Sequence, residues 1–103
     1  MPREIEIVLN EHPQVAEAHV IGLPHERMGE VVCAFVVPRD PANPPEPAQL
    51  TEHCAAGLAR FKVPRHVLYI TAAELPLTST GRVQKFRLTE MAKLRMIDAS
   101  AKA

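Results

Sequence analysis

Val31-Val32-Cys33-Ala34-Phe35-Val36-Val37 is a nearly continuous run of β-branched, small and aromatic residues. A run of this kind predicts a strand covered on both faces, and so the central strand of a sheet. Upstream, Val15 to Ile21 alternates as a second strand, with Val15, Glu17, His19 and Ile21 set against Ala16, Ala18 and Val20. Small and apolar residues on both sides predict a partly covered strand. Gly22 to Glu30 joins the two; it is longer than a tight hairpin, which leaves the connection free to carry binding residues. Nearer the start, Pro2 occupies a tolerated first-turn position, and Ile5, Val8 and Leu9 fall on one face of a helix that ends before Pro13.

Downstream of the central run, Arg39 to Pro47 holds Pro41, Pro44, Pro45 and Pro47. The fixed φ angles and missing amides exclude a helix interior and a ladder, so 39–47 reads as a stiff surface connection. Pro47 suits the first turn of a helix from Ala48 to about Ala59, with Leu50, Cys54 and Leu58 along one face. Pro64 stops any continuation, and Val67 to Thr71 makes a third strand. Phe86, Leu88, Met91, Leu94 and Ile97 give a closing helix, with a frayed tail over 100–103. The order α-β-β-α-β-loop-α predicts an α+β domain, a small three-stranded sheet with packed helices. Its expected core is Ile5, Val8, Leu9, Val20, Val32, Ala34, Val36, Leu50, Leu58, Leu68 and Ile70.

At 103 residues the chain is one domain with a single modest core. Twelve basic residues balance twelve acidic ones, so no global field draws in nucleic acid or an anionic membrane. No apolar run approaches the roughly 20 residues of a membrane helix. The N-terminal segment is amphipathic, unlike the apolar stretch of a signal peptide. Cys33 and Cys54 lack CxxC spacing and read as buried free thiols of a cytoplasmic protein. The five histidines (His12, His19, His25, His53 and His66) form no HxxxH or HExxH, so no metal site is expected.

Leu75-Pro76-Leu77-Thr78-Ser79-Thr80-Gly81-Arg82-Val83-Gln84-Lys85-Phe86 carries the chemistry. Pro76 fixes one φ angle, and Gly81 can take a positive φ that strains other residues. Arg82 then projects one residue beyond a glycine, a presentation that suits a polyanion such as a nucleoside phosphate. The same composition also fits a solvated strand-to-helix loop. No Gly-rich phosphate loop, paired helical carboxylates or Ser/His/Asp set accompanies it, as expected for one part of a larger enzyme.

This stretch resembles the Pro-x-x-x-x-Gly-Lys signature near the C-terminus of adenylate-forming enzymes: acyl-CoA synthetases, peptide-synthetase adenylation domains and luciferases. Three more segments match that family in the same order. Pro2-Arg3-Glu4-Ile5-Glu6 resembles its P-x-E-I-E, Gly22 to Glu30 its G-x-P-D-x-x-x-G-E, and Phe61-Lys62-Val63-Pro64-Arg65 its Y-K-x-P-R. Together they span about four-fifths of the chain. The resemblance implies that residues 1–103 are the C-terminal lid of an acid–CoA ligase, inactive alone. The lid closes over a large N-terminal domain that binds ATP, Mg2+ and the carboxylic acid. After adenylate formation it turns, and the thiol of CoA attacks. The Gly81 to Phe86 run is most like that of ligases acting on medium-chain, aromatic or alicyclic acids. A peptide-synthetase adenylation subdomain, and a stand-alone domain binding a nucleotide or protein partner, remain alternatives.

By the same resemblance, Arg82, with Gly81 before it, stands at the position of the family's adenylation lysine. Arginine keeps the charge but brings a bulkier planar fork. Lys85 is the only nearby lysine that can compensate, or else it is a surface side chain or a contact to the large domain. The matching CoA positions are Lys62, Val63, Pro64 and Arg65, with Arg27, Met28 and Gly29 in the first loop. Arg60, Lys62 and Arg65 supply three cations within six residues for the CoA phosphates. The alternative for these cations is solvated charges at a helix end.

Overall fold

A computed structural model describes the backbone of residues 2–27 and 29–102, with side chains at 3–27, 29–60 and 62–95. The expected element order is the one observed. Helix α1 (Pro2–Asn10), strands β1 (Val15–His25) and β2 (Gly29–Pro38), helix α2 (Pro47–Gly57), strand β3 (His66–Tyr69) and helix α3 (Lys85–Lys102) follow in sequence. Short 3-10 turns at Arg60–Lys62 and Ala72–Glu74 flank β3.

The three strands lie in the order β1-β2-β3, with β2 central as its composition predicts. β1 pairs antiparallel with β2, and β2 pairs parallel with β3. The parallel pair needs a long crossover, which the Pro-rich connection and α2 provide. Tyr69 Oη donates to Pro45 O and pins that connection to β3. Gln49 Oε1 accepts from the Glu46 amide at 2.9 Å, satisfying a backbone donor where α2 begins.

Both faces of the sheet are covered, which accounts for the unbroken apolar run of β2. Ala34 and Val36 join Ile5, Leu9, Val15, Ala18, Val20, Leu50 and Cys54 under α1 and α2. Val31, Cys33, Phe35 and Val37 alternate to the other face, where they meet Ile21, Leu23, Ile70, Leu75, Leu88 and Ala92. The expected core is mainly the first of these layers. Val8, Val32 and Leu58 pack half-buried against that layer, and Leu68 against the second. The second layer extends the expected core, because a strand covered twice buries both phases of its alternation.

Several boundaries differ from expectation, β3 among them, which runs His66–Tyr69 and not Val67 to Thr71. The Gly22 to Glu30 connection is mostly ladder, with Leu23 opposite Val31, Pro24 opposite Glu30 and His25 opposite Gly29. Pro24 is tolerated there because β1 is an edge strand with one side unpaired. Only residues 26–28 remain between the strands, and Met28 lies outside the described residues. The last helix continues past Ser100 to Lys102, Ala103 lying outside the description. It buries Leu88 and Ala92 and leaves Phe86 and Leu94 each 64% exposed, so its inward face is rotated from the expected one. The Ile97 side chain lies outside the described set.

Candidate functional site

The stretch from Leu75 to Lys85 folds as a small closed loop between two fixed feet. Leu75 is buried in the second core layer, and a capping pair precedes it, the Glu74 amide donating to Thr71 Oγ1 at 3.3 Å. The strands of the loop meet at a single bridge, Leu77 opposite Val83. Below it the Gln84 amide donates to Pro76 O at 2.8 Å. Above it Thr78 closes the tip: its amide donates to Arg82 O at 2.8 Å, and its Oγ1 accepts from the Arg82 amide at 3.1 Å. The Gly81 amide donates to Thr78 O at 2.9 Å. Gly81 has φ +85°, the left-handed conformation its position predicts.

Arg82 therefore leaves a backbone held on both sides by Thr78. It is exposed, and its guanidinium has no partner among the described residues. A groove of about 820 Å³ runs beneath it, lined among others by Arg3, Glu6, His19, Gly81 and Lys85.

Lys85 lies on the same groove but is engaged. Its ammonium donates to Glu6 Oε2 and, at 2.8 Å, to Val20 O. The same Glu6 oxygen accepts the Val20 amide at 2.7 Å. Both polar groups of the Val20 peptide thus face away from β2, and a carboxylate and an ammonium cover them on the open edge of the sheet. Lys85, for which the sequence leaves open compensation for Arg82, a surface position or a contact to the large domain, is held by groups of this domain.

The cations of the Phe61 to Arg65 segment diverge. Lys62 Nζ pairs with Glu4 Oε2 of α1 at 2.9 Å, which holds the Glu4 carboxyl below its usual pKa. Arg60, Val63 and Arg65 instead line a groove of about 870 Å³ with Glu30, Thr51, Glu52 and Leu58. Pro64 is buried behind it, and the Arg65 amide donates to Val32 O at 2.9 Å, fixing where that side chain leaves the sheet. Burial, then the Arg65 and His25 charges, depress the His66 pKa. Arg27 and Gly29 are exposed at the β1–β2 hairpin, outside the groove lining, and Met28 lies outside the described residues.

Glu6 is read from sequence only as part of the P-x-E-I-E segment and Val20 only as a core residue; neither is expected at the site. Their contact with Lys85 spans 79 and 65 positions, and no local pattern announces it.

The four segments and the loop geometry can be set beside known proteins. The sequence pattern described as the AMP-binding enzyme C-terminal domain matches residues 4–82, ending at Arg82. The chain belongs to this family.

Among relatives, the chain is 45% identical over 91 residues to the peroxisomal trans-cinnamate:CoA ligase of Petunia hybrida, covering 87% of this chain and 15% of that protein. It is 39% identical over 89 residues to a mitochondrial medium-chain acyl-CoA ligase of Danio rerio, covering 86% of this chain and 14% of that protein. The amide bond synthetase McbA of Marinactinospora thermotolerans superposes with a TM-score of 0.80 at 37% identity, over 87% of this chain and 18% of the other. The chain thus spans about 15% of the length of the curated relatives it matches. In adenylate-forming enzymes this small mixed sheet with its helices is the C-terminal lid.

Proposed function

We propose that the chain is the C-terminal lid of an ATP-dependent carboxylic acid–CoA ligase, whose large N-terminal domain holds ATP, Mg2+ and the acid. The observation that carries this reading is Arg82, exposed and unpartnered among the described residues, on a loop closed at both feet within the family's matched span. In the first half-reaction a carboxylate oxygen attacks the α-phosphorus of ATP and the bond to pyrophosphate breaks. Negative charge builds on the attacking and phosphoryl oxygens, and the Arg82 guanidinium offsets it. In the second, the domain has turned, the CoA thiolate attacks the acyl carbon and AMP leaves. Arg65 and Arg60 then face the phosphates of CoA from their groove.

In this scheme Mg2+ is held with ATP by the large domain, as the family resemblance implies. A medium-chain or aromatic acid fits the two ligases named above. The likeness to an amide bond synthetase supports a second reading, in which an amine replaces CoA as acceptor. The two free, buried thiols suit a reducing compartment such as the cytoplasm.

The test joins the chain to its large domain and follows pyrophosphate release across cinnamate, benzoate and medium-chain acids, with CoA or an amine as acceptor. Release with a CoA thioester as product supports the reading, and an amide product selects the second. No acid-dependent pyrophosphate release in either case refutes both.

A further inference from the structure

Lys85 is the first residue of α3 and stands three positions beyond Arg82, at the C-terminal foot of the loop. Its ammonium bridges Glu6 on α1 and the Val20 carbonyl on the edge of β1. The other foot is held by a different contact, the burial of Leu75. Between the feet the loop is held by its own hydrogen bonds, centred on Thr78, Pro76 and Gln84, and by Val83, which packs half-buried against the second core layer. The direction in which Arg82 leaves the domain therefore depends on how firmly the loop is attached at Leu75, at Val83 and at Lys85.

We infer that Lys85 is a positioning residue: clasped by Glu6 and Val20, it fixes the loop so that Arg82 meets the reacting phosphate in one orientation. The inference rests on the reading above and assigns Lys85 and Glu6 a part in the adenylation step without contact to substrate. The Lys85 side chain is 42% exposed and that of Glu6 20% exposed. An ion pair this open adds little to global stability. Orientation is different, since a displacement of about 1 Å at a reacting group can cost on the order of 100-fold in rate. Loss of the clasp should accordingly slow one half-reaction more than it loosens the fold.

Two measurements test this. In the protein joined to its large domain, Lys85→Met and Glu6→Gln should each lower kcat for pyrophosphate release roughly 10-fold or more, with KM for ATP and transfer from supplied adenylate to CoA little changed. Lys85→Arg should restore most of the rate, and the double variant should be no slower than the slower single one, because both remove the same contact. In the 103-residue chain, amide exchange at Arg82 and Gln84 should quicken in Lys85→Met while that of Phe35 holds. Multiplicative losses, equal losses in both half-reactions, or unchanged loop exchange and release would overturn the clasp. Arg82→Ala serves as the reference arm. If it leaves release unchanged, the functional reading fails and the clasp with it; if it abolishes release while Lys85→Met does not slow it, only the clasp is lost.

Discussion

Glu4 Oε2 and Lys62 Nζ meet at 2.9 Å across 58 positions of sequence. This contact ties the segment after α2 to α1, and it divides three neighbouring cations into one that faces the helix and two that face the groove. The Lys62 ammonium is thereby turned toward α1, whereas Arg60 and Arg65 line the groove in which a phosphate would sit. Arg65→Glu should raise the KM for CoA about 10-fold or more, the scale of one charge-assisted hydrogen bond, and leave pyrophosphate release intact. Lys62→Gln should change that KM far less. Steady-state kinetics of the two half-reactions separate the two side chains, and an equal loss in both steps for Arg65→Glu would indicate folding damage.

Arg82 stands where the family signature carries lysine, and the two cations differ in shape more than in charge. A compact ammonium on a flexible stem reaches between two oxygens more readily than a planar fork. Arg82→Lys in the protein joined to its large domain is expected to raise the rate of pyrophosphate release. A rate that stays level or falls would show that the neighbouring groove is fitted to the guanidinium.

The two conspicuous glycines make opposite predictions. Gly81 has φ +85° and nothing within 4 Å of an added Cβ, so Gly81→Ala meets conformational strain alone. The expected loss is about 1–2 kcal/mol, read from denaturant midpoints. An added Cβ at Gly22 comes within 2.4 Å of the Glu30 carboxyl carbon, but Glu30 is exposed and its side chain can swing away. Gly22→Ala should therefore be close to neutral in the same assay.

Burial pushes the thiols of Cys33 and Cys54 up to about 11 from an ordinary value of 9.0. In the unfolded chain they ionise near the ordinary value, so between roughly pH 9 and pH 11 the unfolded state binds fewer protons than the native one. Stability is then full below pH 9 and falls as the pH rises through that window. Urea midpoints measured across it should decline, and Cys33→Ala with Cys54→Ala should flatten the decline. Thiol labelling at neutral pH should proceed only at the rate of unfolding.

The legible parts of this fold are those written in local patterns. The run from Val31 to Val37 announces a strand buried twice over, and Gly81 announces a left-handed turn. Gly22 and Pro24 read as loop formers, yet they belong to β1, because an edge strand has a side on which a missing amide costs nothing. In α3 the buried Ala92 carries no apolar signal, whereas Phe86 and Leu94 carry one and point outward. Leu77 within the loop and Phe86 just after it are likewise apolar and exposed, so hydrophobicity alone misplaces the inward face. At the site, the motif cations are visible in the sequence, but which of them are engaged is not. Glu4 with Lys62, and Glu6 with Lys85, are pairings that only the assembled helices and sheet create.

The most direct measurement is pyrophosphate release, in the protein joined to its large domain, by the Arg82→Ala variant compared with the parent. Loss of one positioned cation from the adenylation centre predicts a fall on the order of 100-fold to 1000-fold, with transfer of a supplied adenylate to CoA retained. A variant that releases pyrophosphate at the parent rate would contradict the assignment of this loop to the reaction.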